Sequence, residues 1–201
     1  VGLLTERGFI RAAEDDGEGH PPVADDGRLL ARIYSESDLL VAECLRTGGW
    51  DGLGAAELAA VVSAVLYESR GLSPYGSVGP AGGGPPTVPV RRALHQTRRL
   101  STALRADEQR HRIAPSREPD DGFVAAVYCW ASTGDLAAAL AASDAAGGGS
   151  PLSAGDFVRW CRQVLDLLDQ VRNAGPNPDL RSIAKRAINL VLRGVVAVDA
   201  G

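Results

Sequence analysis

The chain has 201 residues, 45% of them hydrophobic, and 21 Lys and Arg against 25 Asp and Glu give a formal net charge of -4. That length can bury one sizeable core or two small ones. The mildly acidic balance excludes a global positive field, so any nucleic-acid contact has to come from local placement of arginine.

Lys185 is the single lysine, and the other basic residues are arginine. The planar guanidinium fork suits phosphate, although a GC-rich coding sequence produces the same bias. Cys44, Cys129 and Cys161 are far apart and set among apolar residues. No pair has ligand spacing, so free buried thiols in a reducing cytoplasm are expected, with no disulfide framework and no metal site. No apolar run approaches the roughly 20 residues of a bilayer span, and no charged-then-apolar signal opens the chain, so no membrane partner is expected. The chain has no initiator methionine and opens inside a helical pattern that stops at Gly8, which reads as a piece excised from a longer protein.

The first segment reads as a helix end followed by a short extended piece, Phe9-Ile10-Arg11, and then an exposed acidic loop over Glu14–Pro22 that carries a solvent-facing His20. A helix is expected near Asp26, and another over Ser37–Arg46 with Ser37 as its cap. From Ala55 to Arg70, Leu58, Val61, Val62, Val65 and Leu66 recur at helical intervals, predicting an amphipathic helix stopped by Gly71. Residues 71–88 are rich in Gly and Pro and predict a mobile linker.

Helix resumes at Pro89 and runs to about Arg112, with a thin apolar stripe of Val90, Leu94, Thr97, Leu100, Ser101 and Leu104, as for a helix lying on a surface. The run Phe123–Ala131 is apolar nearly all round and predicts the central helix of a bundle. Asp135–Ala146 forms a short alanine-rich helix before the break at 147–151. Ser153 caps a helix to about Asn173, with Asp156 in a variant capping box. The last helix runs from Pro178 to about Val198, carrying Ile183, Ala187, Leu190, Val191 and Val195. With strand signals nearly absent, the fold class is all-α, an antiparallel helical bundle.

No phosphate-binding loop, nucleophile elbow or H-E-x-x-H motif is present, so no catalytic residue is assigned and the chain alone is not expected to catalyse. Three features stand out. Glu68 is placed at the end of the inward stripe of its helix and close to the negative helix terminus, where the dipole disfavours an acid. It reads either as an ion pair with a bundle arginine or as a contact to a ligand or an RNA base. On the Ser153–Asn173 helix, Phe157, Val164, Leu167, Leu168 and Val171 mark the packed side, while Arg159, Arg162, Gln163, Asp166 and Gln170 form a polar ladder about one turn apart. Trp160 there could stack a base or anchor in the bundle. The third feature is a basic stripe on the arginine-rich helix, Arg91, Arg98 and Arg105 with His95. It reads either as salt-dependent phosphate contacts or as a solvated face balanced by Asp107 and Glu108.

Several of these segments together resemble one family. Gly27–Leu45 and Leu58–Arg70, then Phe123–Gly134 (similar to a "v-v-Y-x-W-a-x-G" helix), Ser153–Arg159 (similar to "e-G-d-f-v-R") and Arg193-Gly194-Val195-Val196 (similar to "R-D-I-V") occur in order with sensible spacing. They resemble the C-terminal helical domain, called DSHCT, of DExH-box RNA helicases of the superkiller and exosome-cofactor type. The resemblance covers about residues 27–70 and 120–198.

It implies a longer superfamily 2 protein, here a bacterial one, with two RecA-like ATPase domains, a winged helix and this bundle. ATP and Mg would belong to those other domains, with no cofactor in this chain. It implies residues 1–34 as the tail of the winged-helix region and 35–201 as the bundle. It makes Ser153–Asn173 the "ratchet" helix beside a 3′-to-5′-moving single strand of RNA, or of DNA, with Glu68, Arg159, Arg162, Gln163 and Asp166 as the nucleic-acid-binding residues. Where many relatives have two adjacent basic residues, this chain has Arg162 followed by Gln163. Gln163 keeps hydrogen-bonding capacity, and Arg162 or Arg159 can supply the charge. Two rival readings are a helical protein-interaction module and a winged-helix transcription factor.

Overall fold

The computed structural model describes residues 2–11, 24–33, 37–69, 86–145 and 151–198, and among them it is all-α with no β-strand. The expected acidic loop, most of the linker up to residue 85, and the break at 147–150 lie outside the described residues. In chain order the helices are α1 (Gly2–Glu6), α2 (Asp25–Leu30), α3 (Asp38–Arg46), α4 (Ala55–Ala64), α5 (Val88–Arg110), α6 (Val124–Thr133), α7 (Leu136–Ala145), α8 (Ala154–Ala174), α9 (Pro178–Val191) and α10 (Gly194–Val198), with a 3-10 turn at Asp121–Phe123 before α6. Helix α5 therefore begins at Val88, the last residue of the expected linker.

The centre of the bundle is α4, where every residue from Leu58 to Val65 is buried. The sequence predicts an amphipathic helix there and gives the central place to Phe123–Ala131. The difference lies in Ala59, Ala60, Ser63 and Ala64, which fill the non-stripe positions. They are small enough for neighbours to pack against them, so α5, α6, α8 and α9 all meet α4. Helix α6 instead buries Val124, Ala126, Val127, Trp130 and Ala131 and leaves Tyr128 and Cys129 half-buried. Burying each large apolar side chain contributes about 1.5–3 kcal/mol, and the residues packed around α4, among them Trp130, Phe123, Phe157, Leu167 and Leu168, carry most of that burial.

Helix α4 also stops six residues before the expected end at Arg70. Its last carbonyls find distant partners in place of another turn: the Ala64 carbonyl accepts from the Asp120 amide at 2.8 Å, that of Val65 from the Ser37 hydroxyl at 3.2 Å, and that of Leu66 from the Arg117 guanidinium at 2.7 Å. Buried carbonyls have to be satisfied, and here the loop before α6 and Ser37 at the start of α3 do it. Ser37 is accordingly buried and makes no side-chain cap to α3.

The last predicted helix is likewise two pieces. Gly194 has φ +48 and breaks the run after Val191, so Val196 is buried and Val195 is 40% exposed. The Arg193 guanidinium turns back over Trp130, 5.6 Å from the ring, and donates to the carbonyls of Trp130 and, at 2.8 Å, Ala131. It thereby satisfies the Ala131 carbonyl at the end of α6 and adds a second donor to that of Trp130, which already accepts from the amide of the left-handed Gly134 at 2.8 Å.

Leu3, Leu29 and Ile33 of the first segments join the same hydrophobic core. A chain of ion pairs fastens them: Arg7 bonds Glu43 at 2.7 Å and Asp107 at 2.6 Å, Arg46 bonds Glu43 at 2.6 Å, and Arg110 bonds Glu6 at 2.8 Å.

Candidate nucleic-acid interface

Helix α8 is cut cleanly into two faces. Ser153 caps it as expected, its hydroxyl accepting from the Asp156 amide at 3.1 Å and donating to the Asp156 carboxylate at 2.9 Å. Phe157, Cys161, Val164, Leu167, Leu168 and Val171 are buried. Arg159 and Asp166 are exposed, and Arg162, Gln163, Asp169 and Gln170 are intermediate. Spacings of three and four residues put these polar groups in one stripe opposite the core.

At the N-terminal end of the stripe, a groove of about 440 Å³ is lined by Ala154, Gly155, Val158, Arg159, Arg162, Val195 and Val198. It brings Arg159 and Arg162 together over an apolar floor that α10 supplies. Gln163 and Asp166 lie further along the same face, outside that groove. The Arg159 guanidinium sits over the Trp160 ring, 5.0 Å from its centroid, and is 3.4 Å from Asp156. Trp160 is half-buried and meets Tyr67 edge-on at 5.0 Å; Tyr67 stacks on Phe123 at 5.2 Å, and Phe123 meets Phe157 at 5.6 Å. The indole is thus both anchored in the bundle and capped by a cation.

Glu68 stands in the extended segment that follows α4, off the inward stripe that the sequence assigns to it. Its side chain is 69% exposed and pairs with Arg117 at 3.1 Å. Ser69 next to it is fixed through its amide to the Asp120 carboxylate at 2.9 Å. Tyr67 packs on Trp160 and so ties the residue before Glu68 to α8, while the Glu68 carboxylate itself turns to Arg117 in the loop before α6. Arg117 had no local signal in the sequence; its role depends on a contact 49 residues away.

The stripe Arg91, Arg98 and Arg105 is on α5, with α4 between it and α8. Arg98 is paired with Asp121, and Arg105 with Glu118 at 2.8 Å. The balancing acids are these two and not the expected Asp107 and Glu108. Asp107 serves Arg7 and Arg110, and the buried Glu108 accepts from the Ser116 amide at 2.7 Å and from its hydroxyl. Burial raises the Asp121 carboxyl above its ordinary range, with Arg98 opposing the shift.

Cys44 and Cys161 are buried, and desolvation pushes both thiols up to about 12; Cys129 is half-exposed. Among the described residues no cluster of three His, Cys, Asp or Glu side chains could hold a metal ion, and no helix is long and apolar enough to cross a membrane.

The described residues thus form an all-α bundle in which one long helix carries a polar ladder on one face and an aromatic anchor on its flank. Residues 21–199 match the model of the DSHCT (NUC185) domain family, and the chain belongs to that family. Over all 201 residues it is 74% identical to a Mycobacterium leprae protein named a probable helicase, HelY, and 71% identical to proteins of the same name from two Mycobacterium tuberculosis strains. The chain spans 21–22% of the length of those relatives.

Proposed function

We propose that the chain serves as the C-terminal helical domain of an ATP-dependent RNA helicase moving 3′ to 5′, and that α8 guides the single strand. The observation that carries this reading is the continuous polar face of α8, from Arg159 through Arg162, Gln163 and Asp166, with Tyr67, the residue before Glu68, packed on Trp160.

Successive turns of a helix are about 5.4 Å apart, comparable to the step between nucleotides in an extended strand. Arg159 and Arg162 supply charge for phosphate, Gln163 and Asp166 supply hydrogen bonds to base edges, and the Arg159–Trp160 pair offers a planar surface on which a base can stack. Contacts of this kind are individually weak, which lets a strand advance by one nucleotide without a large barrier. DNA presents the same phosphates and bases and is the other strand that α8 could take. ATP and Mg act in RecA-like domains of the longer protein. Those domains and a winged helix, of which residues 1–34 form the tail, are partners within one chain, at work in the cytoplasm.

The test is made in the full-length protein. Glu68→Ala and Arg162→Ala are expected to lower the rate of unwinding severalfold while ATP turnover falls much less. Unwinding unchanged in both variants would contradict the reading.

The apolar floor of the groove, with Val195 and Val198 exposed at 40% and 79%, supports a second reading as a protein-docking module. Salt-insensitive capture of a protein, with no RNA cross-links on residues 155–172, would favour it.

A further inference from the structure

The sequence draws the basic stripe of α5 through Arg91, Arg98 and Arg105, but the structure moves its free charge elsewhere. Arg98 and Arg105 have acidic partners, whereas Arg91, Arg92, His95 and Arg99 are all exposed and take part in no ion pair among the described residues. Arg91, His95 and Arg99 stand four residues apart in one row, with Arg92 beside them, so the four side chains cover one continuous patch about 12 Å long. Helix α5 has no acid before Asp107, so no partner at helical spacing is available within the first turns.

Helix stability does not account for this arrangement. Arg91 and Arg92 lie close to the positive end of the helix dipole, which disfavours cations there, and the three arginines repel one another. An anionic ligand removes both penalties. The exposed face also carries no aromatic side chain, and its continuation is Thr102, Ala103, Ala106 and Gln109. Sites for unpaired strands combine cations with stacking platforms, and protein interfaces are built around large apolar or aromatic anchors. A convex, cationic helix face with no stacking platform and with only Val88, at its first turn, as a large exposed apolar side chain suits the closely spaced phosphates of a double helix, which it would contact without reading bases.

We propose that the exposed face of α5 around Arg91, Arg92 and Arg99 is a second nucleic-acid site that grips the phosphate backbone of a duplex, independent of base sequence. The proposal rests on the reading of the chain as part of a nucleic-acid motor. It places duplex on α5, a different helix from the α8 that takes the single strand.

The experiment uses the full-length protein and a blunt duplex, which has no free tail to enter a strand channel. Binding is followed by fluorescence anisotropy over a range of salt concentrations. The triple variant Arg91→Gln, Arg92→Gln, Arg99→Gln is expected to bind the duplex at least tenfold more weakly at low salt, and to lower the slope of log K against log salt by about 2 to 3, one phosphate contact per arginine. Arg99→Gln alone is expected to lower it by about one. Unchanged affinity and slope in the triple variant would overturn the proposal. So would unchanged binding with a reduced melting temperature, which would assign the patch to a contact within the chain. The α8 reading fails on a separate readout, unwinding by the Glu68 and Arg162 variants, so the two outcomes are distinguishable.

Discussion

Tyr67 meets Trp160 edge-on with ring centroids 5.0 Å apart, and this contact joins the segment carrying Glu68 to the helix carrying Arg159 and Arg162. Two stretches more than 80 residues apart in sequence are thereby tied together.

Removing that ring tests the junction. Tyr67 is buried and also stacks on Phe123, so Tyr67→Ala is expected to cost about 3 kcal/mol and to lower the melting temperature by about 6–12 °C. In the full-length protein it is expected to impair unwinding as Glu68→Ala does. Calorimetry and an unwinding assay on one preparation check both parts.

Arg193 and Gly194 act as a clasp on α6. Arg193→Met removes the donors to the Trp130 and Ala131 carbonyls and is expected to destabilise the bundle by about 1–3 kcal/mol, with Arg193→Lys a poor rescue because it lacks the planar fork. Gly194→Ala is strained by φ +48, and its new methyl would approach the Trp130 ring to 3.1 Å. A loss of about 1–2 kcal/mol is expected. Urea unfolding curves of the three variants give the comparison.

The ion-pair chain between α1, α3 and α5 makes stability depend on acid. The hydrogen bond from Arg110, then that from His111, holds the Glu6 carboxyl below its ordinary 4.5. Asp107 is held below 3.8 chiefly by its hydrogen bond from Arg110, with burial opposing and the hydrogen bond from Arg7 adding to the shift. Groups whose folded pKa is depressed contribute stability that is complete above their unfolded values and is lost as pH falls through the folded ones. The melting temperature is therefore expected to be flat above about pH 5 with respect to these groups and to fall below pH 4.5. Arg7→Met leaves the buried Glu43 with only Arg46. It is expected to cost about 2–4 kcal/mol at neutral pH and to leave most of the acid limb in place, since Arg110 is the first cause of both shifts, as thermal melts from pH 3 to 7 would show.

Thiol chemistry reports on packing. With Cys44 and Cys161 buried and pushed to about 12, a thiol reagent at pH 8 is expected to modify Cys129 first. Cys129→Ser is expected to abolish the fast phase, and the other two should react only on unfolding. Reaction of Cys44 or Cys161 in the folded protein at the rate of Cys129 would contradict the packing of α3 and α8.

Helices α5 and α8 were legible in the sequence because their limits are set locally: Pro89 at the start of one, and Ser153 with Asp156 at the start of the other. The polar face of α8 follows from spacing alone. The end of α4 was not legible, since Leu66 continues its apolar rhythm and only bonds from Ser37, Arg117 and Asp120 stop it. The central place of α4 was hidden because alanine fits an exposed face as well as a close helix contact. The break before α10 turns on Arg193 finding carbonyls on α6, again across the fold. Glu68 was singled out, but its surroundings could not be read, because Arg117 and Tyr67 act through tertiary contacts.

The most direct measurement is a photo-cross-linking map of the full-length protein stalled on a tailed RNA duplex whose single strand carries 4-thiouridine, read out by peptide mass spectrometry. Cross-links concentrated on residues 155–172 and on the segment around Glu68, and lost when the tail is removed, are the expected result. Cross-links confined to other parts of the protein, with α8 unmodified, would contradict the assignment of α8 as the strand guide.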